Sequence, residues 1–376
     1  MPESALHGAS SPGAQRTERT DPANALAFQA DVRLGSFRLR AQFSVHQAET
    51  LVLVGPSGAG KSTCLALIAG LLRPDAGRIS CGTDVWYDAA AGVHIPPERR
   101  RVGLLFQDYA LFPHLTVSEN VRYGPRARGR DRAAADATAA TWLARFGLAD
   151  VANRQVGEIS GGQRQRVALA RALAAAPRAL LLDEPFGSLD VSTRGVVRSE
   201  LRAFLAGCGL PTILVSHDPV DALAFGERIA VLENGALSQI GSRDELVAKP
   251  RSAFVAELAG LNLYRVELAG GRGLKEARVA RVVFHVLADD RAGPAFLAFT
   301  PAEVALATAR GPGSPQNVFP GRVVEILPLP DRLRVLLDIG VVLVAEVTRE
   351  AATALGLAVG QPLWAAVKAT AIRVYD

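Results

Sequence analysis

Several common signals are scarce in this 376-residue chain, and each scarcity narrows the reading. There are three cysteines, Cys64, Cys81 and Cys208. Their odd number and lack of metal-ligand spacing speak against a disulfide framework or a zinc site; they fit a reducing cytoplasm, as small apolar packing residues. No apolar run approaches the ~20 residues a membrane-spanning helix needs. The positive mean hydropathy of +0.17 therefore reflects dispersed Ala, Leu and Val, and a soluble chain that can sit on a membrane partner is expected. The start, Met1 to Leu26, lacks the apolar h-region of a secretory signal; rich in Ser, Pro, Ala, Thr and charge, it reads as a disordered tail. Net charge is +5, yet the Arg residues are scattered and no aromatic-studded basic stripe is present, so no nucleic acid is expected as a partner. The densest cluster, Arg99-Arg100-Arg101 beside Glu98, reads as a solvated turn. Heptads are lacking too.

Apolar residues make up 49% of the sequence, and 376 residues exceed a single ordinary core, so two folded units are expected. From Ala27 to about Ser80 the pattern is strand, strand, glycine-rich loop, helix over Cys64 to Leu72, then short strands around Gly77 to Val85. Arg101 to Phe106 reads as a buried strand. Residues Asp131 to Phe146 and Gln163 to Ala175 carry helical patterns, a helical insertion between two halves of a parallel sheet. The run Ala179 to Leu182 is wholly apolar, as a strand buried on both faces should be, and Thr212 to Val215 and Ile229 to Leu232 repeat the type. This alternation argues an α/β core over 27–243, with a helical subdomain at about 109–175. Residues 244–262 read as a helical linker. Beyond, 263–376 breaks into short β-like runs punctuated by Gly and Pro, a separate, mostly β domain.

The strongest local signal is Gly55-Pro56-Ser57-Gly58-Ala59-Gly60-Lys61-Ser62-Thr63. It matches G-x-x-x-x-G-K-[ST] after the apolar run Leu51 to Val54 and before a helix. Glycines let backbone amides converge on one anion, Lys61 adds positive charge for the outer phosphates, and the helix N-terminus faces them with its positive dipole end. Ser62 offers a hydroxyl to Mg²⁺. A nucleoside triphosphate is the expected ligand.

The strand over 179–182 runs into Asp183-Glu184, two carboxylates at the carboxyl end of a strand, where α/β folds bind ligands. Asp183 would hold Mg²⁺ and Glu184 would polarise an attacking water.

Ile159-Ser160-Gly161-Gly162-Gln163, followed by Arg164-Gln165-Arg166-Val167-Ala168-Leu169-Ala170-Arg171, resembles the signature of ATP-binding-cassette ATPases, with Ile where Leu is usual. Other pieces of that family fall in order: Gln107 resembles the glutamine-loop residue that contacts Mg²⁺ and water, Ser188-Leu189-Asp190 the D-loop, and His217 the switch histidine. The resemblance implies a P-loop NTPase fold, a RecA-like core plus helical subdomain, using ATP and Mg²⁺. It further implies a head-to-tail homodimer in which Ser160, Gly161 and Gly162 of one copy cap the γ-phosphate held by Gly55 to Thr63 of the other. Phe37 is the nearest candidate for stacking on adenine, with a core role as the alternative. Tyr109 to Val117 resembles the region through which importer cassettes grip a coupling helix of the permease.

The C-terminal region resembles the oligomer-binding (TOBE) domain appended to importer cassettes, OB-like and akin to the small molybdate-binding module. Ser314-Pro315-Gln316-Asn317 and Val367-Lys368-Ala369-Thr370 resemble its oxyanion-binding turns, with Pro315-Gln316 where Ala-Arg is frequent. The resemblance thus implies a peripheral ATPase on the cytoplasmic face of the membrane, working with permease subunits and indirectly with a solute-binding protein. Molybdate is the expected solute; sulfate, iron or polyamine is the alternative within the class, and a soluble non-transport cassette ATPase the alternative outside it.

Overall fold

The computed structural model describes residues 25–187, 191–271, 273–311 and 313–376. Most of the expected tail, and the Ser188-Leu189-Asp190 motif, therefore lie outside the described residues. Leu26, which the sequence reading places in the tail, instead opens the first strand and is fully buried.

The cassette begins with β1 (Leu26–Leu34) and β2 (Phe37–Val45), an antiparallel pair whose alternating burial matches a period of two. β3 (Thr50–Val54) is buried throughout and feeds the glycine-rich loop and α1 (Lys61–Ala69). β4 (Ala76–Cys81), β5 (Asp84–Asp88) and β6 (Val93–His94) extend the antiparallel half; α2 (Pro97–Arg100) and β7 (Val102–Leu105) follow. The helical subdomain holds α3 (Val117–Ala127), α4 (Arg132–Arg145) and α5 (Gly161–Ala174). The chain returns through β8 (Ala179–Asp183), α6 (Val191–Cys208), β9 (Thr212–Val215), α7 (Pro219–Phe225), β10 (Arg228–Glu233) and β11 (Ala236–Ser242).

These strands form an 11-stranded sheet in the order β6-β5-β4-β1-β2-β11-β10-β3-β9-β8-β7. β10, β3, β9, β8 and β7 run parallel. Alternate residues of β3 enter two different cores: Leu51 and Leu53 pack with Leu65, Leu67 and Ile68 of α1, while Val52 and Val54 face Leu201 and Leu205 of α6. That is why these runs are wholly apolar rather than alternating.

Helix α1 starts at Lys61, three residues before the sequence reading places it, and ends at Gly70, whose left-handed φ of 84° closes the helix. α3 escapes the sequence reading because Gly124 and Pro125 lie inside it. It is started by a capping box between Thr116 and Glu119, and Gly124 is small for a reason: a Cβ there would come within 2.8 Å of the Ala175 methyl next to α5.

The Arg99-Arg100-Arg101 cluster is not a solvated turn as a whole. Arg100 is fully buried; its guanidinium donates to the carbonyls of Leu67 (2.7 Å) and Ile68 (2.9 Å) at the end of α1 and to Ile95 (2.8 Å). Burial pulls the guanidinium down to about 10, which leaves it charged at neutral pH and suited to the negative end of a helix. Arg99 and Arg101 are exposed.

The linker is two short helices, α8 (Arg243–Ala248) and α9 (Ala253–Leu258), separated around Pro250. The C-terminal domain beyond them is two five-stranded sheets around one core. One pairs Val282–Ala288, Gly273–Val279, Asn262–Leu268, Gly293–Phe299 and Arg373–Tyr375. The other pairs Ala305–Ala307, Pro362–Val367, Asn317–Pro328, Arg332–Asp338 and Val342–Thr348. Phe284, Phe299, Val335, Leu337 and Ala365 fill the shared interior. Two buried asparagines join the sheets by copying backbone pairing. Asn262 exchanges both amide hydrogen bonds with Val344 (2.8 Å each), and Asn317 does the same with His285 (2.6 and 2.9 Å). The domain is tied to the linker by the Tyr375 hydroxyl on the Pro250 carbonyl (2.7 Å) and by Arg373 on the Ala248 carbonyl (3.2 Å).

Candidate functional site

Four motifs far apart in sequence follow four adjacent parallel strands at one edge of the sheet. β3 leads into Gly55, β9 into Ser216-His217, β8 ends at Asp183 before Glu184, and β7 runs to Phe106-Gln107. Registers of Leu53 with Val215, Asp183 with Val215 and Leu105 with Leu182 align those ends. A site at the carboxyl edge of a parallel sheet results.

The loop from Gly55 to Gly60 needs its glycines. Gly55, Gly58 and Gly60 have φ of 149°, 78° and 102°, and a Cβ on Gly55 would lie 2.0 Å from the Leu232 carbonyl oxygen. A Cβ on Gly60 would come within 3.0 Å of the Phe37 ring, so Phe37 lies against the loop while also packing on the core beneath it. Gly60 caps α1 with no side-chain acceptor for the first amides, so the helix N-terminus suits an anion. Ala59 is buried inside the loop, with its amide on the Pro56 carbonyl, whereas Ser57 and Gly58 are exposed. Lys61 is buried; its ammonium donates to the carbonyls of Gly55 (2.8 Å) and Pro56 (3.0 Å). Burial lowers its pKa, against the opposing charges of Glu184 and Asp183. Thr63 continues α1 behind the loop.

Ser62 donates to Asp183 (Oγ to Oδ1, 3.2 Å). Burial raises the Asp183 pKa, and the neighbouring Glu184 charge adds to this while Ser62 and Lys61 oppose it. A partly buried carboxylate with a hydroxyl beside it is a hard oxygen donor set, which fits Mg²⁺. Glu184 takes an unusual left-handed backbone (φ 44°), held by its amide on the Val215 carbonyl (3.1 Å). Its carboxylate receives Gln107 Nε2 on Oε2 (3.4 Å) and faces His217 Nδ1 from Oε1 (3.2 Å). The structure therefore brings Lys61, Ser62, Asp183, Glu184, Gln107 and His217 into one constellation. Asp190 lies outside the described residues.

The signature residues are organised separately, at the start of α5. Ser160 and Gln163 form a reciprocal capping box: Ser160 Oγ accepts the Gln163 amide (3.3 Å) and Gln163 Oε1 accepts the Ser160 amide (2.9 Å). The cap leaves the Ser160 hydroxyl hydrogen and the Gly161 and Gly162 amides as donors. Ile159, the departure from the usual Leu, is buried in the core of the helical subdomain.

Sequence reasoning passed over Arg171. From α5 its guanidinium donates to the carbonyls of Ala110 (2.6 Å) and Tyr109 (2.8 Å), just after Gln107. Tyr109 and Ala110 both have positive φ, 64° and 42°, and Arg171 also sits 5.3 Å from the centre of the Phe112 ring. No short motif announces this contact, because 61 residues separate Arg171 from Ala110.

Comparison with known proteins decides the family. An ABC transporter model matches residues 39–187, and a TOBE domain model matches 313–374. The molybdenum import ATP-binding protein ModC of Mycobacterium tuberculosis is 40% identical over 350 residues, covering 90% of this chain and 94% of that protein. The chain belongs to the ABC transporter ATP-binding proteins. As a cassette of that family it binds ATP. Two further relatives cover nearly the whole cassette protein. The molybdate/tungstate import ATP-binding protein WtpC of Pyrococcus abyssi is 34% identical, covering 90% of this chain and 96% of its own. The sulfate/thiosulfate import ATP-binding protein CysA of Burkholderia mallei is 40% identical, covering 87% and 91%. Among the described residues of this cassette protein, no helix is long and apolar enough to cross a membrane.

Proposed function

We propose that this cassette is the ATP-hydrolysing subunit of an oxyanion importer, with molybdate as the solute. The observation that carries the chemistry is the convergence of Gln107 and His217 on Glu184, beside the loop that holds Lys61. Mg²⁺ bound by Ser62, Asp183 and Gln107 would supply charge neutralisation for the transferred phosphoryl group. Lys61 holds a positive charge over the loop. Glu184 accepts a proton from the attacking water, Gln107 orients that water, and His217 holds Glu184 in place from the other side. Asp190 completes the nucleotide-contacting set in this reading.

The Ser160, Gly161 and Gly162 donors, with Ser160 exposed at the head of α5, then belong against the γ-phosphate of a second copy, which makes the working unit a head-to-tail homodimer. Transmembrane permease subunits are the further partners and the solute-binding protein an indirect one, with the chain peripheral at the cytoplasmic face of the membrane. The docking reading of Tyr109 to Val117 is supported by a cleft of about 260 Å³ lined by Asp108, Tyr109, Leu111, Val156, Gly161 and Arg164. Within that segment the Phe112 ring lies 4.6 Å from the exposed Tyr123 ring, the two tilted by 47°.

Molybdate is favoured by the ModC and WtpC relatives and by the C-terminal turns. Asn317 pairs with Val367 across neighbouring strands, which sets the exposed Ser314 and Gln316 near the exposed Lys368 and Thr370. Asn317 itself is buried, with its side-chain oxygen and one N–H on the His285 backbone. The CysA relative supports sulfate as a second reading. Uptake into vesicles holding the cassette and its permease distinguishes them: ATP-driven accumulation of molybdate and tungstate but not sulfate is expected, and transport of sulfate alone would replace the solute. Failure of the cassette to purify with any permease would remove the transport reading.

A further inference from the structure

Behind the Glu184–His217 pair lies a partly buried charge cluster that no motif names. Ser216, the residue before His217, is 3% exposed; its hydroxyl donates to Asp221 Oδ2 (2.7 Å) and accepts the Asp218 amide (3.0 Å). Both hydrogen-bonding roles of that hydroxyl are filled, so the Ser216–Asp218 turn that presents His217 is held in one geometry. Asp221, also 3% exposed, receives Arg198 Nε on its other oxygen (2.7 Å). Arg198 Nη2 reaches Asp218 Oδ2 as well (3.2 Å). Asp218 Oδ1 in turn accepts the Val220 amide (2.8 Å) at the start of α7.

Arg198 belongs to α6, and its other side faces the strand that carries the carboxylates. Its guanidinium lies 5.6 Å from the centre of the Phe186 ring, two residues after Glu184, and Phe186 stacks on Phe225 of α7 at 5.4 Å. One planar cation thus touches the segment following Glu184 and both carboxylates following His217. Arg194, one helical turn earlier on α6, stands 3.9 Å from Asp218. The β8–β9 pairing and the Glu184 amide on the Val215 carbonyl fix the backbone on the strand side. The Arg198 fork adds a side-chain tie between the segments that follow, Phe186 on one and Asp218 and Asp221 on the other.

We propose that Arg198, acting through Asp221, Asp218 and Ser216, is a positioning residue for ATP hydrolysis: it sets the distance between Glu184 and His217. The inference rests on the roles given above to those two residues. Arg198 touches neither the glycine-rich loop nor Lys61, so its effect belongs in the chemical step rather than in nucleotide binding. A lysine keeps the charge but loses the fork that spans Asp221 and Asp218 while covering Phe186.

The test measures steady-state ATPase of the cassette with its permease, alongside ATP binding and thermal stability, for Arg198→Lys, Ser216→Ala and His217→Ala. Losing one charge-assisted hydrogen bond of the fork should lower kcat about tenfold in Arg198→Lys, with KM for ATP within about twofold. Ser216→Ala removes one hydroxyl from a buried site and should show the same split, which keeps the test decisive if Arg198→Lys folds poorly. Parental kcat in both, with His217→Ala slow, would overturn the positioning role alone. Parental kcat in His217→Ala would remove the reading on which the proposal rests, and the proposal with it. A parallel rise in KM and loss of melting temperature, with kcat kept, would assign the cluster to folding only.

Discussion

Arg100→Ala is the most direct test of how the loop helix is held. The wild-type guanidinium satisfies three carbonyls, those of Leu67, Ile68 and Ile95, inside a fully buried setting. In the alanine variant the Leu67 carbonyl keeps the Gly70 amide at 3.2 Å, so the loss falls on Ile68 and Ile95. A buried acceptor left without a partner costs roughly 1–3 kcal/mol, and a cation at a helix C-terminus contributes about 0.3–1 kcal/mol more. Relief from burying a charge offsets part of this, leaving a net destabilisation of about 3 kcal/mol. For a folding unit of this size that corresponds to roughly 6–12 °C in Tm. Calorimetry without nucleotide, on the full chain, should show the cassette transition lowered by that amount and the C-terminal transition unmoved. Arg99→Ala, at an exposed neighbouring position, should change Tm by about 2 °C or less. A fall of under about 2 °C for Arg100→Ala would refute the capping role, since it would mean that water or a backbone shift replaces all three contacts.

Other outcomes follow from the same geometry. Lys61→Ala should lose ATP affinity in a direct titration, and unchanged binding would contradict the phosphate loop. Glu184→Gln should retain ATP binding, abolish turnover and trap a nucleotide-bound dimer seen by size-exclusion chromatography; near-normal hydrolysis would remove Glu184 as the base. Asn317→Ala strips both His285 backbone groups of their partner and should lower the C-terminal transition by about 2–3 kcal/mol while sparing ATPase activity. Finally, burial pushes the Cys64 thiol up to about 12 and raises that of Cys81 as well. In native protein a thiol reagent should therefore modify the half-buried Cys208 first, and all three only after unfolding; rapid labelling of Cys64 would contradict its packing.

Much of the cassette was legible in the order of its residues. The apolar runs at 179–182 and 213–215 identify strands covered on both faces, because a parallel sheet leaves neither face to water. Helix α3 was not legible, since Gly124 and Pro125 oppose helix propensity and only the close approach of Ala175 explains the glycine. Arg100 was misread for a related reason. A basic tripeptide is ordinarily solvated, and nothing local reveals two inward-facing carbonyls waiting at the end of a helix more than thirty residues upstream. The first sheet of the C-terminal domain was likewise recognisable only as β texture, because its pairing joins Asn262–Leu268 to Gly293–Phe299, and that strand in turn to the last strand of the chain.

The sequence by itself determined the chemistry of the glycine-rich loop. Gly55 to Thr63 is one continuous segment, and its backbone dihedrals, its lysine and the helix that follows are properties of neighbouring residues. Tertiary structure alone decided what surrounds Glu184. Gln107 and His217 reach it from opposite sides because β7 and β9 flank β8 in the sheet, an order no local pattern encodes. The same holds for Arg171 and Arg198, whose long flexible side chains select partners by packing geometry rather than by sequence distance.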